Sequence, residues 1–166
     1  CPVLSEFRVG KSLIRIRLGA FYQCENLSGL YLRAKNTDAD EAALKEIGEY
    51  AFAGCSVLDN NELNPIIPNS VEKIGSNAFV NTRLWNTPDE YNIIYAGNWV
   101  VGYTANAKLG DIELKDSVRG VADYAFTNCA SLTIPKNLSK CLYIGEGAFY
   151  NCSSLESVVL HSRITK

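Results

Sequence analysis

Six cysteines and a single histidine carry most of the covalent and metal-binding chemistry open to this 166-residue chain. A thiol nucleophile needs a base, and His161 is the one imidazole on offer. It stands at the end of the last apolar stretch and reads as a solvated side chain. No second histidine and no oxyanion-hole pattern accompany it. The cysteines form no Cys-x-x-Cys pair and stand too far apart for zinc-ligand spacing. Their even number suggests disulfides, but Cys1, Cys24, Cys55, Cys129 and Cys152 all fall in one phase of a recurring pattern. In such a position free cysteine acts as a small buried hydrophobe, and the thiols are expected reduced. Thr82 takes the same place in another copy, a swap that packing tolerates and a disulfide does not. Cys141 is out of phase and is the candidate reactive thiol, although Leu142 and Ile144 favour its burial.

The remaining motifs carry no cofactor. The acidic run Asn36-Thr37-Asp38-Ala39-Asp40-Glu41 lacks the central Gly and the closing Glu of a calcium loop and reads as a solvated loop. The glycines recur as Ile-Gly markers with no Lys-Ser/Thr downstream, so there is no phosphate loop. No metal, cofactor or catalytic set is therefore expected, and the chain reads as a non-enzyme. Lys plus Arg number 16 and Asp plus Glu 18, a net charge of -2, which argues against a nucleic-acid or anionic-membrane surface. No apolar run approaches the roughly 20 residues of a membrane helix. With 47% hydrophobic and 20% charged residues, the chain reads as a single folded domain able to bury roughly 70% of its unfolded surface. It contains no Met and begins at Cys1, so it is expected to be a fragment of a longer array, and it shows no signal-peptide pattern.

What positions the cysteines is a repeat. Ile47-Gly48-Glu49-Tyr50-Ala51-Phe52-Ala53-Gly54-Cys55 has near copies at 16–24, 121–129 and 144–152, and a weaker one at 74–82. Cys1 to Cys24 and Cys129 to Cys152 are each 23 residues apart, and the gap between Thr82 and Cys129 holds one eroded copy. After each cysteine comes Leu and an alternating apolar segment: Leu4–Val9, Leu27–Leu32, Ile112–Leu114 and, most clearly, Leu155–Leu160. Alternation predicts a short strand with one face buried. The Ala-Phe-x-x-Cys segment predicts a short helical turn, capped by the Ser, Asp or Glu that follows Gly. One strand and one turn cannot bury their own apolar face, so neighbouring copies must stack. Phe21, Phe52, Phe79, Phe126 and Phe149 should form one internal ladder, and Ile16, Ile47, Ile74, Val121 and Ile144 another. An α/β solenoid of about six or seven rungs is expected.

The unit Ile-Gly-x-x-Ala-Phe-x-x-Cys-x-x-Leu-x-x-Ile-x-Leu resembles the BspA-like, or Treponema-type, leucine-rich repeat. The resemblance spans nearly the whole chain, with insertions near 33–43 and 83–111 in a single domain over 1–166. It implies a right-handed leucine-rich-repeat superhelix, a cell-surface or secreted bacterial protein, and adhesion to host extracellular proteins or to other microbes. On that basis the chain is expected to be a non-catalytic protein-binding module. The alternative is a structural spacer that holds another domain away from the surface.

Outward strand positions would form the binding face, with Arg8, Tyr31, Arg33, Glu113 and Glu156 among them. The segment 83–120 departs most from the repeat. Two apolar runs flank Gly97-Asn98, a two-residue hairpin signal. Both faces of that hairpin are apolar, so it should pack on the solenoid and leave apolar surface exposed. Trp85, Tyr91 and Trp99 join the candidate binding residues as aromatic anchors, with filling of the eroded rung as the competing reading. If the hairpin offers a ring to a partner, Trp99, beside the turn, is the one placed to reach outward; if it fills the eroded rung, Trp99 is core.

Overall fold

The computed structural model describes residues 1–32, 43–59, 67–104, 109–160 and 162–164. Arg33, the acidic run 36–41 and His161 lie outside the described residues.

The chain winds as a β-solenoid. A first row of strands contains β1 (Glu6–Arg8), β3 (Gly29–Tyr31), β8 (Gly110–Glu113) and β10 (Leu132–Lys136), paired in parallel as β1 with β3 and β8 with β10. A second row contains β2 (Arg15–Ile16), β4 (Glu46–Ile47) and β5 (Lys73–Ile74) in one parallel sheet. In the other sheet of that row stand β9 (Gly120–Val121) and β11 (Tyr143–Ile144), with the hairpin β6 (Ile93–Ala96) and β7 (Trp99–Tyr103). Register is uniform: Ile16 pairs with Ile47, Ile47 with Ile74, Val100 with Val121 and Val121 with Ile144. The repeated apolar residue thus points inward on every rung.

The Ala-Phe-x-x-Cys segments are not helical. Among the described residues the only helices are two 3-10 turns, Arg83–Asn86 and Leu138–Lys140. The cause is a pair of left-handed residues on each rung. Gly19, Tyr50, Asn77, Tyr124 and Gly147 stand three residues after the rung's Ile or Val, and Gln23, Gly54, Asn81, Asn128 and Asn151 seven after it. All ten have φ between 51° and 75°, where a right-handed helix cannot continue. The chain forms successive tight turns instead, closed by bonds such as Ala51 N–H to Gly48 O, Ala53 N–H to Tyr50 O and Cys55 N–H to Phe52 O. The alternate N–H groups, on Tyr50, Phe52 and Gly54, donate to Ser76 O, Ala78 O and Val80 O of the next rung at 2.8–3.1 Å. On the rungs of Ile16, Ile47 and Val121 the turn segment is therefore a third ladder, its donors from the first left-handed residue to the cysteine going alternately across to the next rung and back within the rung.

The predicted phenylalanine ladder forms in two stretches. Phe21, Phe52 and Phe79 stack at 5.2 and 5.3 Å between ring centres, and Phe126 and Phe149 at 5.4 Å. Tyr103 of the eroded copy stands in the gap, stacked on Phe126 at 6.3 Å. Cys24, Cys55 and Cys129 are buried, Cys152 is half-buried and Cys1 is exposed, all as free thiols. The thiols of Cys55 and Cys152 donate to Phe21 O and Phe126 O on the preceding rung, at 3.2 and 3.1 Å. Burial pushes the Cys55 thiol up to about 11 and that of Cys141 to about 12. Cys141 is wholly buried, so its reading as a reactive thiol is corrected: desolvation holds it neutral and inert.

Two strand expectations change. Leu155–Leu160 forms no strand; Glu156 N–H reaches Thr133 O, but among the described residues it has a rung on one side only. The hairpin forms at Gly97-Asn98 as predicted, yet it leaves no apolar face in solvent: Ile93–Ala96 and Trp99–Val101 are all buried. Where the hairpin meets the stack the ladder forks. Ala122 N–H donates to Val100 O of the hairpin, while the next donor, Asp123 N–H, goes to Ile74 O on the previous regular rung.

Candidate functional site

The first strand row brings Arg8 and Tyr31 together. They are register partners across β1 and β3, and the Arg8 guanidinium lies over the Tyr31 ring, 3.6 Å from its centre. Glu6 holds the same guanidinium at 3.2 Å. Parallel pairing in register puts both side chains on the outward face, because Leu30 and Leu32 on either side of Tyr31 fill the core. Farther along, Tyr91 and Glu113 line a shared depression with Asp89 and Lys115. Asp89 shapes its rim: one carboxylate oxygen accepts the N–H groups of Tyr91 and Ile93 at 3.0 and 2.9 Å. Glu156 is exposed, and its N–H bonds to Thr133 O of β10.

Neither tryptophan presents an open ring to solvent. Trp85 is half-buried with its ring against Gly102, where an added Cβ would meet it at 2.9 Å. Trp99 is 1% exposed, which agrees with the rung-filling reading and corrects the outward-anchor one. It pairs with Gly120 across β7 and β9, and the missing side chain lets the indole lie over that backbone; a Cβ on Gly120 would stand 2.6 Å from the ring. The ring then stacks on Tyr143 of the next rung at 5.8 Å. Alternation within the hairpin gives a face to each residue; the seat that Gly120 leaves open decides what covers Trp99.

A further depression, of about 500 Å³, lies over the second strand row. It was not among the sequence expectations. The signal was the residue before each inward Ile or Val: Arg15, Glu46, Lys73, Gly120 and Tyr143 form an outward row that lacks one side chain. Ion pairs line one part of it, Arg15 to Glu46 at 3.1 Å, Lys45 to Glu72 at 2.7 Å and Lys73 to Asp123 at 3.2 Å. The Asp123 hydrogen bond raises the Lys73 ammonium above its ordinary value. The other carboxylate oxygen of Asp123 accepts Glu146 N–H at 2.9 Å. Trp99, Ile74, Tyr143 and Ile144 contribute the apolar part. Among the described residues no group of His, Cys, Asp and Glu is placed to hold a metal ion.

A sequence profile of the BspA type leucine-rich repeat region matches residues 40–101 and 103–166, in six copies. The chain belongs to the BspA-type leucine-rich repeat family. Several solved structures are similar to this BspA-type chain at low identity. A leucine-rich repeat protein from Treponema pallidum is 23% identical, with 86% of this chain matched to 50% of that one at a TM-score of 0.39. The pneumococcal vaccine antigen PcpA is 20% identical, with 97% matched to 40% and a TM-score of 0.47. A leucine-rich repeat protein from Bacteroides ovatus is 21% identical, with 97% matched to 38% and a TM-score of 0.41. The BspA-type chain thus spans half or less of the length of these relatives. No protein of curated function matches it. No helix among the described residues is long and apolar enough to cross a membrane.

Proposed function

We propose that this chain is a non-catalytic, protein-binding repeat module of a secreted or cell-surface protein, adhesin-like in its action. The observation that carries this reading is the Arg8–Tyr31 pair. A guanidinium stacked on an aromatic ring is held outward by strand register, and Arg and Tyr are the residue types that dominate protein-binding hot spots. Glu113 with Tyr91, and Glu156, extend a face of mixed charge, which suits a protein partner better than a polyanion. The outward positions of such a stack vary without cost to the core, because the inward ladders and the backbone bonds between rungs hold it together. Cell-surface or secreted placement rests on family membership.

The test is surface plasmon resonance of the chain over immobilised extracellular-matrix proteins and over whole bacterial cells. The double change Arg8→Ala with Tyr31→Ala is expected to weaken binding tenfold or more, with no shift in melting temperature. Unchanged binding would remove this face from the function and leave the spacer role.

A further inference from the structure

We infer that the turn face of the stack is a second protein-interaction surface, which docks a basic polypeptide segment on Tyr50 and Tyr124. Its residues are separate from the Arg8–Tyr31 face, and it does not rest on the reading given to that face.

The most exposed aromatic rings of the chain, Tyr22, Tyr50, Tyr124 and Tyr150, all stand in the turn segments. Tyr50 and Tyr124 are the informative pair. Their rungs have neighbours on both sides, so an exposure of 38% and 41% is not that of an end rung. The fold does not call for tyrosine there. Both have left-handed backbone, with φ of 51° and 57°, which a bulky residue rarely adopts. Other rungs fill the same place with Gly19, Asn77 and Gly147. A large exposed side chain held against its backbone preference points to a use.

Both rings lean across to the next rung. The Tyr124 ring lies against Gly147, where an added Cβ would stand 2.4 Å from it, and its hydroxyl donates to Glu146 at 3.4 Å. The Tyr50 hydroxyl accepts from Asn77 Nδ2 at 3.3 Å. A ring fixed at both ends loses little freedom when a partner covers its open face.

Charge selects the partner. Between the inward Ile or Val and the cysteine place, the turns carry Glu49, Asp123 and Glu146 against one basic residue, Arg17 on the first rung. Lys73 reaches this face from the strand row, and its ammonium is occupied by Asp123 at 3.2 Å. Among the described residues the Glu49 and Glu146 carboxylates meet only hydroxyls, those of Ser76 at 3.0 Å and Tyr124. Neighbouring groups register the surplus. The hydrogen bond to Asp123 raises the Lys73 ammonium, with Glu46 and Glu146 adding to it, and the Glu146 carboxylate raises the Tyr124 phenol. An open aromatic face beside a carboxylate without a cation suits a guanidinium or ammonium group: the ring attracts the charge and the carboxylate accepts the N–H groups. Tyr50 with Glu49 and Tyr124 with Glu146 offer that arrangement twice, which fits a segment with repeated Arg or Lys. An acidic partner is repelled, and an apolar one would cover the carboxylates without pairing them.

The experiment titrates the chain into a fluorescein-labelled Gly-Arg repeat peptide and reads anisotropy, with a Gly-Glu repeat peptide as control. Saturable binding of the Gly-Arg peptide and none of the Gly-Glu peptide is expected. Tyr50→Asn with Tyr124→Asn keeps the net charge and installs the residue that the fold already uses at Asn77. It should weaken binding tenfold or more without lowering the melting temperature. Glu49→Gln with Glu146→Gln, confined to exposed side chains, should weaken it equally, and Arg8→Ala with Tyr31→Ala should leave it unchanged. No saturable binding of the Gly-Arg peptide, or equal binding of the Gly-Glu peptide, overturns the proposal. So does binding that withstands the tyrosine pair, which would be a general attraction to charge, and so does binding removed by Arg8→Ala with Tyr31→Ala. Failure here leaves the Arg8–Tyr31 face to be judged on its own test over matrix proteins and cells.

Discussion

Replacing Gly75 by Ala tests whether backbone contact sets the spacing of the rungs. A Cβ at Gly75 would stand 2.4 Å from Glu49 N, 2.8 Å from Gly48 C and 2.9 Å from Glu49 Cα. All three are backbone atoms of the preceding rung, so no side chain can swing aside. The φ of Gly75 is not positive, and the penalty is therefore one of space rather than conformation. Relief requires the rungs to separate, which stretches the bonds from Gly75 N–H to Ile47 O (2.8 Å) and from Tyr50 N–H to Ser76 O (3.1 Å). Weakening two buried backbone bonds costs about 1–3 kcal/mol. Loosening the Phe52–Phe79 stack, now at 5.3 Å, adds about 0.5–1.5 kcal/mol. The less flexible unfolded chain returns about 0.4–1 kcal/mol. The net loss is about 0.5–4 kcal/mol, a fall of about 1–16 °C in melting temperature for a chain of this size. Gly145→Ala should behave alike, since its Cβ would stand 2.3 Å from Asp123 N. Ala122 fills the equivalent place at the fork and is the internal control: its methyl is already accommodated beside the hairpin, and Ala122→Gly should cost no more than about 1–2 kcal/mol through a buried methyl and a looser backbone. Urea unfolding followed by circular dichroism measures all three. A Gly75→Ala chain as stable as the wild type would refute the reasoning.

Phe52→Ala should cost about 3–5 kcal/mol, and Phe149→Ala less, because Phe149 stacks on one ring and Phe52 on two; equal small losses in urea unfolding would mean that the ladder is not the core. Trp99→Ala should destabilise by a similar 3–5 kcal/mol, read as a drop in melting temperature, and an unchanged melting temperature would contradict its burial. In the native protein a thiol-specific chromophoric reagent should label Cys1 at once and leave Cys24, Cys55, Cys129 and Cys141 unreacted until denaturant is added, in line with their exposure; rapid labelling of more than two thiols would show that the rungs open. The Cys55 and Cys141 thiols are raised from 9.0 to about 11 and 12, so above pH 9 the unfolded chain releases protons that the folded chain keeps. Stability should accordingly fall as pH rises from 9 towards 11, by about 1.4 kcal/mol per pH unit for each thiol, and equal unfolding midpoints at pH 8 and pH 10 would disprove it.

The repeat was legible because each rung reuses one residue for one place. Ile16, Ile47, Ile74 and Val121 are inward at the spacing the sequence showed, and Gly97-Asn98 turned the hairpin where expected. The turns were misread as helical because the residue types there are ambiguous. Asn77, Asn81, Asn128 and Asn151, with Gly19, Gly54 and Gly147, were the available signal for left-handed backbone. Tyr50, Tyr124 and Gln23 occupy the same conformation against their intrinsic preference and hid the period. The charged depression was missed for a different reason. Its walls come from residues 15 to 146, and only the stacking of rungs brings them side by side. Of the sequence-named binding residues, Arg8 meets Tyr31 and Tyr91 lines one depression with Glu113, while Trp99 is buried over Gly120.

The fork at Asp123 has a mechanical consequence. The rungs of Ile47 and Ile74 are sewn together by bonds from Glu72, Lys73, Gly75, Tyr50, Phe52 and Gly54 N–H. Between Ile74 and Val121 the direct backbone link among the described residues is the single bond from Asp123 N–H to Ile74 O, reinforced by the Lys73 ion pair. Tension applied along the stack axis concentrates on that one seam. Pulled from its two ends, the array should part there first, releasing the connecting residues 83–92 as slack at up to about 3.3–3.6 Å per residue while the hairpin stays paired to the Val121 rung.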